Sequence, residues 1–477
     1  MKPYNEISLV RGLTLVPATA IVIGNIIGTG VFLKTRVMTC NVGTPGKVIA
    51  VWIAAGLLSL AGALTYAEIA ALWPRAGGEY VFLREAFGPA YGFLYGWMQF
   101  FVARAGGVAA ISIGFAIFFN TLVGNSLNQA IFSFNIFGWQ FTFLRLQAVA
   151  LAALAVVTLI NCAAVVVSGR VATFLTAIKI LAVVGIGLGA FFYAHGDWGH
   201  LFLSSAGGAC EGVDATARSG LAGFGAAMLG ALWAYNGWND LTFVSGEVKN
   251  PQRNLPLALI GGTIVVIVLY LFINFAYFYV LTPTEIATVR SDSSVAIEVA
   301  LKFLGPVAVS LIAAALMASS FGTLHVGMLV SARLPYAMSR DRLFFQRLAR
   351  LNPRTRVPVM ALLLQALWTA ILIITGSFDV LADYSIFALW IFYGLTAATV
   401  FVFRKKLPDA ERPYKVWGYP VVPALFLLVT AWLLVNTLMT SPKQSFSGLF
   451  LIALGLPVYF YWSRRNRTGN QEEIEPE

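Results

Sequence analysis

A short glycine run interrupts the first apolar segment of the chain. It reads Gly24-Asn25-Ile26-Ile27-Gly28-Thr29-Gly30, and apolar residues flank it on both sides. Each glycine costs a helix interior about 1 kcal/mol relative to alanine. Backbone groups that leave a helix within a bilayer have no water to bond, so such a break is tolerated only where protein buries it or where it lines a cavity. The run therefore predicts a discontinuous membrane helix, an element that forms binding sites at the middle of the membrane.

A second interruption lies in a later apolar segment, at Trp233-Ala234-Tyr235-Asn236-Gly237-Trp238-Asn239-Asp240. Its polar side chains would be costly if they faced lipid. The N-terminus of a half-helix offers N–H groups to a carboxylate, and the C-terminus of a half-helix offers carbonyls to an ammonium. Two broken helices side by side therefore match the zwitterion of an α-amino acid. Close packing between helices is the alternative explanation of the glycines.

Composition indicates a chain that crosses the bilayer many times. Hydrophobic residues make up 59% of the 477, charged residues make up 11%, and the mean hydropathy is +0.79. Soluble chains carry about 25% charged residues. Apolar stretches of about 20 residues, which is the length of a spanning helix, recur along the whole chain. We predict twelve spans, roughly at 14–37, 46–72, 91–119, 145–167, 171–194, 220–246, 256–281, 302–337, 357–376, 380–403, 420–440 and 446–463.

The two interruptions fall in the first and sixth predicted spans. Each broken helix is therefore the first of a set of five consecutive spans. Because five is odd, the two sets of five run in opposite directions, which predicts the inverted repeat of a secondary transporter with a site at the midplane. The predicted organisation is an N-terminal segment 1–13, a ten-helix core 14–403, helices 11 and 12 within 404–463, and an acidic tail 464–477. This division leaves no room for a separate soluble domain.

We interpret the net charge of +11 as the charge that sets the orientation of the chain across the membrane. Most of the 32 Lys and Arg residues fall in segments that share one side of the membrane when twelve spans are threaded, above all in the loops after the eighth and tenth spans. This is the positive-inside bias, and it predicts that both termini are cytoplasmic and that the protein spans the cell membrane. We do not expect nucleic acid binding.

Several blocks of sequence resemble the amino acid–polyamine–organocation superfamily and, within it, the L-type amino acid transporter branch of prokaryotic type. The resemblance covers about Leu13 to Pro420 and is most specific around the sixth span. It implies a LeuT-like fold of twelve helices, with helices 1 and 6 unwound at mid-membrane, and sodium-independent amino acid exchange. The matching blocks are Ile27-Gly-Thr-Gly-Val-Phe32, Trp73-Pro-Arg-Ala-Gly-Gly-Glu-Tyr80, Trp233-Ala-Tyr-Asn-Gly-Trp-Asn239, Glu247-Val-Lys-Asn-Pro-Gln-Arg-Asn-Leu-Pro256, Ser331 through Asp341, and Pro353-Arg-Thr-Arg-Val-Pro358.

The resemblance also assigns substrate contacts, residue by residue. The backbone of the first break would hold the carboxylate and amino groups of the substrate. Trp233 falls at the aromatic gate above the substrate, the Asn236 carbonyl would help to bind the ammonium, and Asn239 is a candidate side-chain contact. The predicted substrate-binding residues are Ile26, Ile27, Gly28, Thr29, Gly30, Trp233, Asn236 and Asn239.

Lys179 is the second strong candidate, because a lysine at the centre of a span costs roughly 2.5–3.5 kcal/mol and must have partners. In the family, an equivalent lysine stands where sodium-coupled relatives bind sodium, and it reaches toward the first break and the eighth helix. Ser319, Ser320 and Thr323 are its candidate partners. Snorkelling to the interface is the alternative.

Three further residues are harder to place. Asp240 stands where the family has an uncharged residue, so it either favours cationic substrates or pairs with a base such as Arg104 or Lys179. His325 stands where asparagine is expected, and it either contacts the substrate side chain, titrates, or packs as a satisfied core histidine. Arg104 in the third span is either structural, which we favour, or faces the substrate. Apart from these three, Glu68 is interpreted as an ordinary interfacial charge.

The leading functional prediction is an exchanger of neutral amino acids. The alternatives are a proton-coupled symporter in which Lys179 carries the proton, and an exchanger of cationic amino acids or polyamines with Asp240 as counter-charge. No metal, cofactor or enzyme motif is recognised in the sequence. The segment 120–144 lacks the cysteine that joins animal relatives to a heavy chain, so no such partner is expected, and a bridge between Cys40 and Cys210 is left open. Replacing Gly30 by leucine is expected to abolish transport in a folded protein.

Overall fold

The computed structural model describes residues 8–124, 126–136, 139–203, 207–290, 293–376, 378–440 and 442–472. Most of the described chain is helical, as its apolar stretches predict. The helices in chain order are α1 Leu15–Ile26, α2 Gly30–Val42, α3 Pro45–Leu72, α4 Glu79–Phe87, α5 Pro89–Met98, α6 Arg104–Leu122, α7 Arg145–Asn161, α8 Val165–Tyr193, α9 Gly220–Ala234, α10 Pro251–Val280, α11 Pro283–Thr288, α12 Val295–Leu304, α13 Val307–Ser331, α14 Arg333–Arg340, α15 Val359–Thr375, α16 Phe378–Lys406, α17 Val421–Thr440, α18 Pro442–Ala453 and α19 Gly455–Glu472.

Short elements of other kinds join or extend these helices. A π-helical turn, Gln99–Ala103, links α5 to α6, and a 3-10 segment, Asp240–Glu247, follows α9. Further 3-10 turns are Ser126–Asn128, Trp198–Phe202, Ala215–Ala217 and Gln346–Ala349. An antiparallel hairpin of β1 Ala130–Ile136 and β2 Trp139–Leu144 lies between α6 and α7. The hairpin falls within the segment 120–144, for which we predicted no regular element.

Within the described residues, nine helical stretches are long and apolar enough to cross a membrane. Three shorter apolar helices, α7, α9 and α15, coincide with the fourth, sixth and ninth predicted spans. The count of twelve spans stays a prediction. The eighth predicted span, 302–337, began too early, because Gly305 has a φ of +62° and Pro306 follows it, so that α12 ends before α13 begins. The predicted tail 464–477 begins as helix, since α19 continues to Glu472, and residues 473–477 lie outside the described part.

The core forms around α1, which packs against α8, α10 and α13, while α2 packs against α9. We call the side of the molecule that carries the β-hairpin the hairpin face. On this face Cys40, near the end of α2, forms a disulfide with Cys210 in the loop before α9, with a Cα–Cα distance of 5.7 Å. The pairing that the sequence left open is therefore present, and it ties the second half of the first span to the loop that leads into the sixth.

We call the opposite side, where Leu13, Glu247 and Arg333 lie, the basic face. The backbone of Leu13 pairs with the end of the 3-10 segment, since its N–H donates to Glu247 O at 2.9 Å and its carbonyl accepts from Lys249 N–H at 2.7 Å. The guanidinium of Arg333 donates to both carboxylate oxygens of Glu247 at 2.7 and 2.9 Å, and both side chains are fully buried. The first and sixth spans are thus held together at this face.

The interpretation of Glu68 as an ordinary interfacial charge is wrong. Its side chain is only 3% exposed, and its carboxylate accepts two hydrogen bonds from Arg404, at 3.0 and 2.7 Å, and one from Val416 N–H. The sequence did not reveal this pair, because the two residues are far apart in the chain. The pair fastens α3 to the end of α16.

Candidate functional site

The first spanning segment is broken between α1 and α2. The helix α1 ends at Ile26, and the next residue, Ile27, has a ψ of 86° that leaves the helical region. The N–H of Gly28 turns back to Ile26 O at 2.8 Å, and α2 begins at Gly30. The last carbonyls of α1 therefore lie beside the first N–H groups of α2, which have no intrahelical acceptors. Partial charges of opposite sign meet at this point.

The sixth segment is broken in the same manner, between the end of α9 at Ala234 and the 3-10 segment that begins at Asp240. Gly237 lies within the break and has a φ of +104°, a conformation that side chains other than glycine rarely adopt. A Cβ at Gly237 would also lie 2.5 Å from the amide nitrogen of Asn25. Glycine is thus required here both for the turn and for the close approach of the two breaks.

Tyr270 of α10, which the sequence analysis missed, joins the two breaks. Its buried hydroxyl lies 2.9 Å from Ile26 O and 3.0 Å from Ala234 O, the carbonyls that end α1 and α9. These carbonyls lost their helical partners when the helices broke. The signal in the sequence was a tyrosine in the middle of an apolar span, because a buried tyrosine hydroxyl needs a partner.

Replacing Tyr270 by phenylalanine is expected to lower transport about tenfold and the free energy of unfolding by about 1–3 kcal/mol, the usual cost of unpaired buried carbonyls. Tyr277 of the same helix offers a matched control, because its hydroxyl is buried and has no partner among the described residues. Tyr277→Phe should leave both quantities close to those of the wild type. Equal behaviour of the two variants in thermal unfolding and transport assays would show that the Tyr270 hydroxyl does not support the breaks.

The ammonium of Lys179 in α8 lies against the first break, as the family resemblance implies. It donates to Gly24 O at 2.5 Å, to Ile27 O at 2.7 Å and to the hydroxyl of Thr323 at 2.7 Å. All three donor hydrogens of the ammonium therefore have oxygen partners, and the side chain is 1% exposed. Lys179 does not snorkel. Among the serine and threonine candidates of the eighth span, Thr323 is its partner, while Ser319 donates to Ile27 O at 3.2 Å.

The glycines of the first break have different surroundings. A Cβ at Gly30 would lie 2.6 Å from Ala234 Cβ and 2.8 Å from its Cα, so this glycine permits α2 to pack against α9. A Cβ at Gly28 would meet only the hydroxyl of Thr323, at 3.8 Å. Gly30→Leu therefore disturbs helix packing as well as the site, which makes it a poorer probe than the sequence suggests. Gly28→Ala adds one methyl group at the break, in ordinary contact with the Thr323 hydroxyl.

We expect Gly28→Ala to raise the KM for substrate about tenfold, equivalent to about 1.4 kcal/mol, because the methyl group occupies space that a bound amino acid needs. The melting temperature should stay near that of the wild type, since the methyl group meets no close neighbour. Gly261→Ala, at a position on α10 where a Cβ meets nothing within 4 Å, is the control. An unchanged KM for Gly28→Ala would remove Gly28 from the site.

Side chains at the breaks are accessible in this structure. Trp233 is 44% exposed, and the ammonium of Lys34 lies 4.7 Å from the centre of one of its rings. Asn236 is exposed, and Gly28 and Thr29 are partly exposed. The backbone and side chains that the sequence predicted as substrate contacts therefore include groups that a small molecule can reach.

Asp240 is paired and does not offer a free negative charge. Both of its carboxylate oxygens accept hydrogen bonds from the guanidinium of Arg104 at 2.6 Å, and one of them also accepts from the amide of Asn25. Arg104 begins α6 directly after the π-helical turn, a distortion that is frequent at functional sites. The pair links the third span to both breaks, which agrees with a structural role of Arg104.

Asn239 and His325 lie away from the accessible surface. Asn239 is fully buried and donates to the carboxylate of Glu79 at 3.1 Å, a placement at odds with the predicted substrate contact. His325 is also fully buried. Its Nε2 donates to Ser168 O at 3.0 Å, and its Nδ1 accepts from Asn161 at 3.2 Å. Of the alternatives for His325, this is the satisfied core histidine.

Comparison with known proteins agrees with this geometry. A family model described as amino acid permease matches residues 13–461. The chain belongs to this family. It is 32% identical over 462 residues to the serine/threonine exchanger SteT of Bacillus subtilis, covering 96% of this chain and 97% of SteT.

Two mammalian relatives match over nearly the same length. The chain is 30% identical to the mouse b(0,+)-type amino acid transporter 1, over 96% of this chain and 90% of that protein. It is 32% identical to the human large neutral amino acids transporter small subunit 2, over 96% of this chain and 82% of that protein. These findings confirm the resemblance to the L-type branch and the LeuT-like fold, and they make the chain a membrane transport protein rather than an enzyme.

Proposed function

We propose that the protein is a sodium-independent amino acid antiporter that works by alternating access, with neutral L-amino acids as its substrates. The observation that carries the proposal is the meeting of two broken helices, where carbonyl ends and N–H ends lie together at accessible residues. SteT is named as a serine/threonine exchanger, and the other relatives are named as amino acid transporters, which supports the same substrate class.

The proposed substrate position follows from the polarity of the helix ends. The α-carboxylate binds at the N–H groups of Thr29 and Gly30, where α2 begins, and the α-ammonium binds carbonyls at the end of α1 and the carbonyl of Asn236. Trp233, half-exposed beside the start of α2, covers the substrate as the gate.

Lys179 is proposed to replace a coupling sodium ion with a fixed cation. Its ammonium has three oxygen acceptors at 2.5–2.7 Å, an arrangement that suits the charged form and holds the break in one conformation. This supports sodium-independent exchange over symport in which Lys179 gives up a proton. Exchange follows if the empty carrier reorients poorly and bound substrate stabilises the occluded form.

The state of Asp240 favours neutral substrates. A cationic amino acid or polyamine would need a carboxylate that is free to pair with it, and the carboxylate of Asp240 is already neutralised by Arg104. The cationic exchanger is therefore the weaker alternative.

We further propose that the basic face is cytoplasmic, with both termini on that side and twelve spans in the cell membrane. The excess of Lys and Arg in the loops after α13 and α16 supports this orientation. In that orientation the structure is closed toward the cytoplasm by the contacts of Leu13 and Arg333. No heavy-chain partner is proposed, because 120–144 contains no cysteine.

The test is uptake of labelled alanine, leucine and arginine by purified protein in liposomes without sodium. Each amino acid is measured with and without unlabelled amino acid inside, and with and without an inward proton gradient. We expect uptake of alanine or leucine that requires internal amino acid. Uptake into empty vesicles that follows the proton gradient would replace the antiporter with a symporter, and preference for arginine would restore Asp240 as a counter-charge.

A further inference from the structure

A buried carboxylate lies next to the second break and is not one of the proposed substrate contacts. Glu79 begins α4, the short helix between the second and third spans, and its side chain is fully buried. Its carboxylate accepts hydrogen bonds from Tyr66 of α3 at 2.8 Å, from Tyr95 of α5, and from Asn239 of the sixth segment at 3.1 Å. No lysine or arginine is paired with it among the described residues.

The surroundings of Glu79 are coupled to the substrate site. Asn239 lies in the second break, and the side chain of the neighbouring Asn236, a proposed substrate contact, accepts from the hydroxyl of Tyr393 at 2.8 Å. The loop before Glu79 packs tightly on the 3-10 segment, because the N–H of Gly77 donates to Phe243 O at 3.0 Å. Movement of the sixth segment must therefore change the contacts of this carboxylate.

The cluster has two complete hydrogen-bond arrangements. When Glu79 is ionised, its oxygens accept from all three donors. When Glu79 is protonated, it needs an acceptor, and Tyr66 supplies one, because the Tyr66 hydroxyl also lies 3.4 Å from Tyr393 O and can donate there instead. The amide of Gln99 donates to the Tyr95 hydroxyl at 2.9 Å in either arrangement.

We propose that Glu79 is a proton-binding site that controls alternating access: the ionised carboxylate fastens the second break to the second and third spans, and protonation releases it. The inference rests on the proposed antiport. The ionised form holds the present closed arrangement at the basic face through three hydrogen bonds. A neutral carboxyl is a weaker acceptor, so protonation lowers the cost of opening and speeds exchange.

The titration falls in the physiological range. Burial raises the pKa of Glu79 to about 7, and the negative charge of Asp240 acts in the same direction. The hydroxyls of Tyr95 and Tyr66 and the positive charge of Arg104 act against the shift. Among the described residues, Tyr393 of α16 is a further titratable group that faces this carboxylate.

The test is the exchange rate at equal pH on both sides of the membrane, from pH 5.5 to about 8.5, so that no gradient drives transport. Wild-type exchange is expected to rise about tenfold as pH falls through about 7. Glu79→Gln should exchange at the acid rate of the wild type at every pH. Glu85→Gln, which changes a partly exposed acid on the same helix, should keep the wild-type profile.

Two further measurements keep the proposal open to refutation if Glu79→Gln folds poorly. Tyr95→Phe removes a donor from the ionised form but keeps the acceptor that Tyr66 supplies to the protonated form, so it should move the midpoint up by about one pH unit. Difference infrared spectroscopy of the substrate-free protein should show a protonated carboxyl band whose pH midpoint equals that of the exchange profile. The control variant Glu85→Gln should retain this band. A flat wild-type profile, a pH-dependent Glu79→Gln, or an unmoved midpoint in Tyr95→Phe would overturn the proposal. Absence of exchange at every pH would instead count against the antiport itself.

Discussion

Replacing Lys179 by methionine is expected to reduce amino acid exchange at least about 100-fold. Methionine fills similar space but donates no hydrogen bond, so Gly24 O, Ile27 O and the Thr323 hydroxyl lose their shared donor at the first break. A hydrogen bond to a charged group contributes about 1.5–3 kcal/mol, and about 3 kcal/mol corresponds to 100-fold. Losing these hydrogen bonds changes the geometry of the first break, where the proposed substrate binds.

The exchange assay in liposomes checks this result. Lys47→Met, at an exposed position in the first turn of α3, is the control for the loss of a lysine. Thr323→Val removes only one of the three partners and should give an intermediate loss. Exchange at the wild-type rate in Lys179→Met would contradict the role of the ammonium in the break.

Replacing Arg333 by methionine is expected to cost about 3–5 kcal/mol of stability, because it leaves the buried carboxylate of Glu247 without a partner. Both side chains are fully buried, and the guanidinium occupies both carboxylate oxygens. The contact joins the start of α14 to the end of the 3-10 segment. Its loss should lower the melting temperature and loosen the basic face.

Unfolding in detergent, followed by heat or by denaturant, measures the effect. The double variant Glu247→Leu with Arg333→Met removes both charges and should be more stable than either single variant, since an apolar pair often replaces a buried ion pair without loss. Arg347→Met, at an exposed position in the following loop, should change little. If the Arg333→Met variant is as stable as the wild type, the claim that Arg333 stabilises the fold by pairing with Glu247 is refuted.

Local composition was enough to predict most of the apolar helices and both breaks. The runs around Gly28 and Gly237 interrupt strongly apolar sequence, and backbone hydrogen bonding in a bilayer leaves few other structures for such a run. Lys179 was predictable for the same reason, because an isolated charge in a span needs partners. The structure adds which oxygens these partners are.

The support of the site was not predictable, because it depends on residues far apart in the chain. Nothing local distinguishes Tyr270, which holds both carbonyl ends, from Tyr277, whose hydroxyl has no partner among the described residues. The family resemblance implies that Asn239 is a substrate contact, but its side-chain amide donates to the buried carboxylate of Glu79 instead. Glu79 stands out in the sequence only as part of the block from Trp73 to Tyr80, because its burial follows from tertiary packing.

The most direct test of the proposed site is a cryo-EM structure of the protein with the amino acid that it exchanges. We expect density for the amino acid between the two breaks, with its carboxylate at the N–H groups of Thr29 and Gly30 and its ammonium at the Asn236 carbonyl. Trp233 should cover it. An amino acid bound elsewhere in the protein, with the first break unoccupied, would contradict the assignment of the broken helices as the transport site.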